Sequence, residues 1–156
     1  MKILIAGEGG QGIQVIAEIL AKAVFMENKS VLYIPNFGVE QRGGVSLAFL
    51  VVEQKPVVYP KFLKADILAL FSERSRKRVK DHLDKKTRLI LGPGLKGGLK
   101  TDLPTRAWNI LVLGKINRLA KIVQSQTLIR AMEERFSQQY LKHPELREIN
   151  RKALNQ

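Results

Sequence analysis

The sequence predicts an α/β fold: an open, mostly parallel sheet in three layers, with helices on both faces and a helical C-terminus. Three observations predict it. A short apolar segment runs into a cluster of glycines, then an amphipathic stretch, then a second apolar segment. Two further buried-strand patterns, at 66–71 and 87–91, are separated by a segment of helical composition. From residue 107 onward the apolar residues recur at helical spacing.

Taken in order, Lys2-Ile3-Leu4-Ile5-Ala6 reads as a buried strand stopped by Gly7. Between residues 11 and 26, Ile13, Ile16, Ala17, Leu20, Ala21 and Val24 fall on one face of a helix. Asn28-Lys29 ends it, and Ser30-Val31-Leu32-Tyr33-Ile34 is the next strand. Such a strand–helix–strand unit is expected to be right-handed with parallel strands, as in Rossmann-like folds. Residues 35–44 form a loop, and 45–53 with 56–59 read as a hairpin or edge strands, limited by Pro56 and Pro60. Asp66-Ile67-Leu68-Ala69-Leu70-Phe71 is another buried strand, residues 72–86 a basic helical segment, and residues 87–91 a strand stopped by Gly92-Pro93-Gly94. Residues 92–104, with glycines at 92, 94, 97 and 98, are the least regular stretch by composition. Helices are expected over 107–123 and 125–140, with Pro144 in the first turn of a terminal helix.

Composition narrows the function. One domain with a sizeable core fits the length. No apolar run is long enough to span a membrane, and the N-terminal apolar run is too short for a signal peptide, so cytoplasmic residence is expected. The chain has no cysteine, which excludes disulfides and a thiolate-held iron–sulfur cluster of its own. His82 and His143 are distant in sequence and lack ligand-like neighbours, so no metal site is expected.

Charge is unevenly placed. The net charge is +13; residues 1–70 hold 7 basic and 6 acidic residues, residues 71–156 hold 20 and 8. Arg74-Ser75-Arg76-Lys77-Arg78-Val79-Lys80 is the densest run. A solvated helix face is the first reading of it, docking onto acidic subunits or a ferredoxin-like protein the second. Nucleic-acid binding ranks third, because few aromatics and no recognised motif accompany the charge.

Gly7-Glu8-Gly9-Gly10-Gln11-Gly12 has the spacing G-x-G-x-x-G between strand and helix. Glycines there allow positive φ and close approach of an anion to the N–H groups of the helix N-terminus. A tight turn that merely packs helix on sheet would use them equally well. A dinucleotide site would need an acidic residue at the end of the second strand, where Tyr33-Ile34-Pro35-Asn36 supplies none, so an NAD(P)-binding domain is disfavoured. Farther on, Phe37-Gly38-Val39-Glu40-Gln41-Arg42-Gly43-Gly44 sets a carboxylate and a guanidinium beside paired glycines. This is either a surface turn or a loop in which Arg42 clamps an anion and Glu40 fixes it.

The two segments together, Gly-x-Gly-Gly-Gln-Gly-Ile and Phe-Gly-x-Glu-x-Arg-Gly-Gly, resemble the gamma subunit of pyruvate and other 2-oxoacid:ferredoxin oxidoreductases; indolepyruvate oxidoreductases carry a similar domain. Residues 57–60, 65–70, 109–114 and 149–154 resemble further stretches of that family. The likeness makes residues 1–156 a single gamma-type domain, divergent or shortened over 72–106. It implies a subunit, inactive alone, of an enzyme that decarboxylates a 2-oxoacid on thiamine diphosphate, passes electrons through iron–sulfur clusters to ferredoxin and forms acyl-CoA. The thiamine-binding and iron–sulfur subunits would be its partners, holding both cofactors, while this chain holds none alone. By the same resemblance Gly7, Gly9, Gly10, Gln11, Gly12, Glu40, Arg42 and Gly43 would form one surface near the active site, touching coenzyme A phosphates, with no catalytic acid or base in this chain. A noncatalytic scaffold or orphan paralogue is the remaining alternative.

Overall fold

The computed structural model describes residues 1–37, 44–55 and 62–156. Glu40, Arg42 and Gly43, and the expected strand at 56–59, lie outside the described residues. The strands are β1 (Lys2–Glu8), β2 (Ser30–Phe37), β3 (Val45–Glu53), β4 (Ile67–Leu70) and β5 (Arg88–Leu91). The helices are α1 (Ile13–Met26), α2 (Glu73–Val79), α3 (Trp108–Ala120), α4 (Ser125–Lys142) and α5 (Glu145–Asn155). Among the described residues, no helix is long and apolar enough to cross a membrane.

The sheet has five strands in the order β2-β3-β1-β4-β5. It is mixed, which corrects the mostly parallel expectation. β4 lies parallel to both β1 and β5, but β3 is antiparallel to β1 and β2. β1 and β2 therefore point the same way without being neighbours, and β3 is an interior strand rather than an edge. Its side chains explain the position. Leu47 and Val51 face one layer while Ala48, Leu50 and Val52 face the other, so the strand buries both surfaces.

Alternation along β1 divides the core in the same way. Ile3 and Ile5 pack beneath α1, α3 and the C-terminal helices, together with Ile16, Leu20, Ile110, Leu113 and Leu154. Leu4 and Ala6 pack with Leu68, Leu70, Phe62 and Val79 of α2 on the opposite face. The basic segment forms a shorter helix than its composition suggested. Ser72 caps α2 by accepting the N–H of Ser75, and the helix stops at Val79 before a 3-10 turn at Lys80–His82. There the carboxylate of Asp84 accepts the N–H groups of Lys86 and Thr87, a local alternative to further helix. Residues 92–104 contain no helix or strand, yet Leu99 N–H donates to Leu91 O and Trp108 Nε1 to Leu103 O, fastening the stretch at both ends.

The C-terminal helices are joined by one carboxylate. Glu133 of α4 accepts from Arg147 at 2.9 Å and from Arg151, both on α5. Hydrogen bonds from Arg147, then Arg151, hold its carboxyl below the ordinary carboxylate range. A lowered folded pKa contributes stability that is complete above the unfolded value and is lost as pH falls through the folded one. The melting-temperature difference between the native chain and Glu133→Gln should accordingly be present at neutral pH. It should shrink as acid takes the solution below the ordinary carboxylate range. A difference independent of pH would show that this carboxylate does not couple α4 to α5.

Candidate functional site

The site begins where β1 ends. Gly9 N–H donates to Gly44 O at 3.0 Å, and Gln11 N–H to Glu8 O at 3.1 Å, closing the turn that leads into α1. Gly10 and Gly12 have φ of 93° and 73°, which a side chain resists. Gly12 has a second constraint, because a Cβ there would overlap Nδ2 of Asn109 at the start of α3. No side chain caps α1, and its first turn has no acidic residue, so neither a cap nor a carboxylate offsets the positive end of the helix dipole.

Gln11 has a bracing role. Its Oε1 accepts Glu8 N–H at 2.8 Å and its Nε2 donates to Phe71 O at 3.4 Å, so the amide spans the ends of β1 and β4. α1 leaves β1 on one face of the sheet and α2 leaves β4 on the other. The gap between these two strand ends is therefore a topological switch point, where open α/β sheets place ligands. A pocket of about 220 Å³ opens there, walled by Gly10, Gln11, Gly12, Arg106, Trp108 and Asn109. Trp108 is fixed by its bond to Leu103 O and by packing over Gly94. Arg106 is exposed and has no hydrogen-bond or carboxylate partner among the described residues.

A second layer holds α1 in place. Gln14 donates through Nε2 to Ser46 Oγ and Leu47 O, both at 2.9 Å, and accepts from the Tyr33 hydroxyl at 2.6 Å. Burial, and then the charge of Glu18, pushes the Tyr33 hydroxyl pKa up, which keeps it a donor.

Gly10, Gln11 and Gly12 thus line the pocket, Gly7 lies in β1 opposite Ser46, and Gly9 donates to Gly44, just before β3. The two described residues on either side of 38–43, the stretch with Glu40, Arg42 and Gly43, sit at the same end: Phe37 pairs with Ser46, and Gly44 is bound to Gly9. Sequence reasoning missed Arg106 and Trp108, and it flagged Asn109 only through a family resemblance. The lone tryptophan beside an arginine at a helix start was the available signal. A thiolate-held cluster does not fit this chain. It has no cysteine, and the described residues contain no group of three His, Asp or Glu suited to a metal. A dinucleotide site fits poorly as well, since β3 separates β1 from β2 and the end of β2 has no carboxylate.

The family described as pyruvate ferredoxin/flavodoxin oxidoreductase matches residues 2–106, including the 72–106 stretch that the sequence set apart. The pyruvate/ketoisovalerate oxidoreductases common subunit gamma of Pyrococcus abyssi is 30% identical over 179 residues, covering 98% of this chain and 92% of that one. The 2-oxoglutarate synthase subunit KorC of Methanocaldococcus jannaschii is 28% identical over 152 residues, covering 84% and 81%. In fold, the chain is similar to a 2-oxoglutarate:ferredoxin oxidoreductase from Magnetococcus marinus solved with 2-oxoglutarate, coenzyme A and succinyl-CoA bound. The TM-score is 0.85 at 20% identity, and 99% of this chain aligns with 30% of that longer one. The chain belongs to the pyruvate ferredoxin/flavodoxin oxidoreductase family, among the gamma subunits of 2-oxoacid:ferredoxin oxidoreductases.

Proposed function

We propose that this chain works as the gamma-type subunit of a complex that oxidatively decarboxylates a 2-oxoacid such as pyruvate to acyl-CoA, with electrons passed to ferredoxin. Thiamine diphosphate supplies the carbanion chemistry from a partner subunit, and iron–sulfur clusters are held by partners that do carry thiolates. This chain's part is to bind and orient. The glycine turn and the loop of Glu40, Arg42 and Gly43 form one rim, and its N–H groups and guanidinium receive the phosphates of coenzyme A. Arg106 adds positive charge to the same pocket, and the Trp108 ring offers an apolar wall.

The observation that carries this reading is the uncapped N-terminus of α1 at the switch point, with Gly44, two residues after Arg42 in sequence, bonded to Gly9 in the turn that leads into it. Arg42→Ala in the assembled complex should leave the subunit folded. It should lower kcat/KM for coenzyme A by about 10- to 100-fold, the range of one charge-assisted hydrogen bond. Steady-state kinetics at saturating and subsaturating coenzyme A check this. Unchanged constants in both regimes would remove Arg42 from the site.

A further inference from the structure

The end of the sheet opposite the glycine turn carries a second surface. It is built where β1, β4 and β5 begin. Lys64, just before β4, donates from Nζ to Asp81 O at 2.8 Å and Leu83 O at 2.9 Å, drawing the 3-10 turn and the loop after it against the strand. Arg88, the first residue of β5, donates to Leu119 O at 2.6 Å, which brings the end of α3 to the same place. The result gathers Lys64, Lys80, Lys85, Lys86 and Arg88 at one end of the molecule.

Asp66, Asp81 and Asp84 offset only part of this charge. The Asp66 carboxylate accepts Lys2 N–H; that of Asp84 accepts the N–H groups of Lys86 and Thr87 and also acts on the Lys64 charge, so five cations stand against three carboxylates. Lys80, Lys85 and Lys86 have no carboxylate within salt-bridge distance among the described residues.

Apolar side chains stand among these cations. Leu63 is 84% exposed, and Met1 and Leu119 are each 37% exposed. The described aromatic groups nearby are instead taken up by one another: Phe49, Phe62 and His82 pack edge-on with centroids 5.4–6.2 Å apart. A surface for single-stranded nucleic acid would present aromatic faces to bases, whereas an apolar centre within a charged rim is the anatomy of a protein interface.

We propose that this basic end docks an acidic, carboxylate-rich face of a partner subunit, with Leu63 at its apolar centre and Lys80, Lys85 and Lys86 on its rim. The inference rests on the subunit reading given above. It makes assembly dependent on ionic strength, because rim charges lose their reach once the Debye length falls from about 8 Å at 0.15 M to about 3 Å at 1 M salt.

The test is affinity purification of the tagged chain from its native cells across a salt series, with and without nuclease treatment. The native chain is compared with Lys80→Glu/Lys85→Glu/Lys86→Glu, and with Arg130→Glu/Lys142→Glu on exposed α4 as a charge control. Circular dichroism confirms that each is folded. The expected result is at least tenfold less partner protein with the triple variant at about 0.15 M salt, and a control that behaves as the native chain. Equal retention of partners by the triple variant at every salt concentration overturns the docking surface and leaves the subunit reading intact. A native chain that travels alone overturns both. Loss of the partners from the native chain on nuclease treatment assigns the surface to nucleic acid and overturns the proposal.

Discussion

Gly12→Ala is expected to lower the melting temperature by roughly 2–10 °C and to lower activity of the assembled complex more than any other single change in the turn. Two costs act together. A φ of 73° strains an L side chain by about 1–2 kcal/mol, and the new methyl displaces the Asn109 amide that walls the pocket. Gly10 separates them: its φ is 93° but nothing lies within 4 Å of its Cβ position, so Gly10→Ala bears the strain alone. Melting by calorimetry and turnover of the complex provide the two readouts. In an Asn109→Ala background the overlap is gone, so Gly12→Ala should then cost no more than Gly10→Ala. A cost unchanged in that background would mean that the two residues are not coupled.

Gly114→Ala tests the other close approach. Gly→Ala inside a helix ordinarily stabilises by about 1 kcal/mol. Here a Cβ would overlap the carbonyl of Leu154 in the last turn of α5, the same carbonyl that accepts from Arg118 at 2.7 Å. Backbone cannot give way as a side-chain tip can, so α5 must shift and that charge-assisted bond is lost. Overpacking and the lost bond together outweigh the propensity gain, leaving a net loss of about 2–4 kcal/mol. The melting temperature should fall by roughly 4–15 °C. Faster amide exchange confined to α5 would accompany it. A rise in melting temperature would mean that α5 is not seated against α3.

The N-terminal half of this architecture was legible because local pattern and tertiary role coincide there. Ile3, Leu4 and Ile5 are apolar on both faces because β1 is central, and Ile13, Ile16 and Leu20 recur at helical spacing because α1 buries one stripe. β3 was harder to place. A run apolar on both faces announces burial without naming its neighbours, and whether β3 lies beside β1 is decided by pairing across the whole sheet. The basic segment misled for a local reason: charge composition suits a helix, but the Asp84 carboxylate competes for backbone N–H groups.

The site was half legible. The glycine turn is visible because positive φ leaves a compositional mark at Gly10 and Gly12. Its far wall is not, because Arg106, Trp108 and Asn109 reach the pocket only through the packing of α3. Gln11, a binding candidate by sequence, also has a bracing part that composition does not announce: its amide accepts from Glu8 and donates to Phe71 across the strand ends.

The pocket rim is the claim on which the functional reading depends most. A cryo-EM map of the assembled complex with coenzyme A bound tests it most directly. The expected result places the N–H groups of residues 9–12 and the Arg42 guanidinium on one rim, within hydrogen-bonding distance of the coenzyme A phosphates. A map with Gln11 and Arg42 on opposite sides of the subunit would contradict it, as would phosphates contacted by other chains alone.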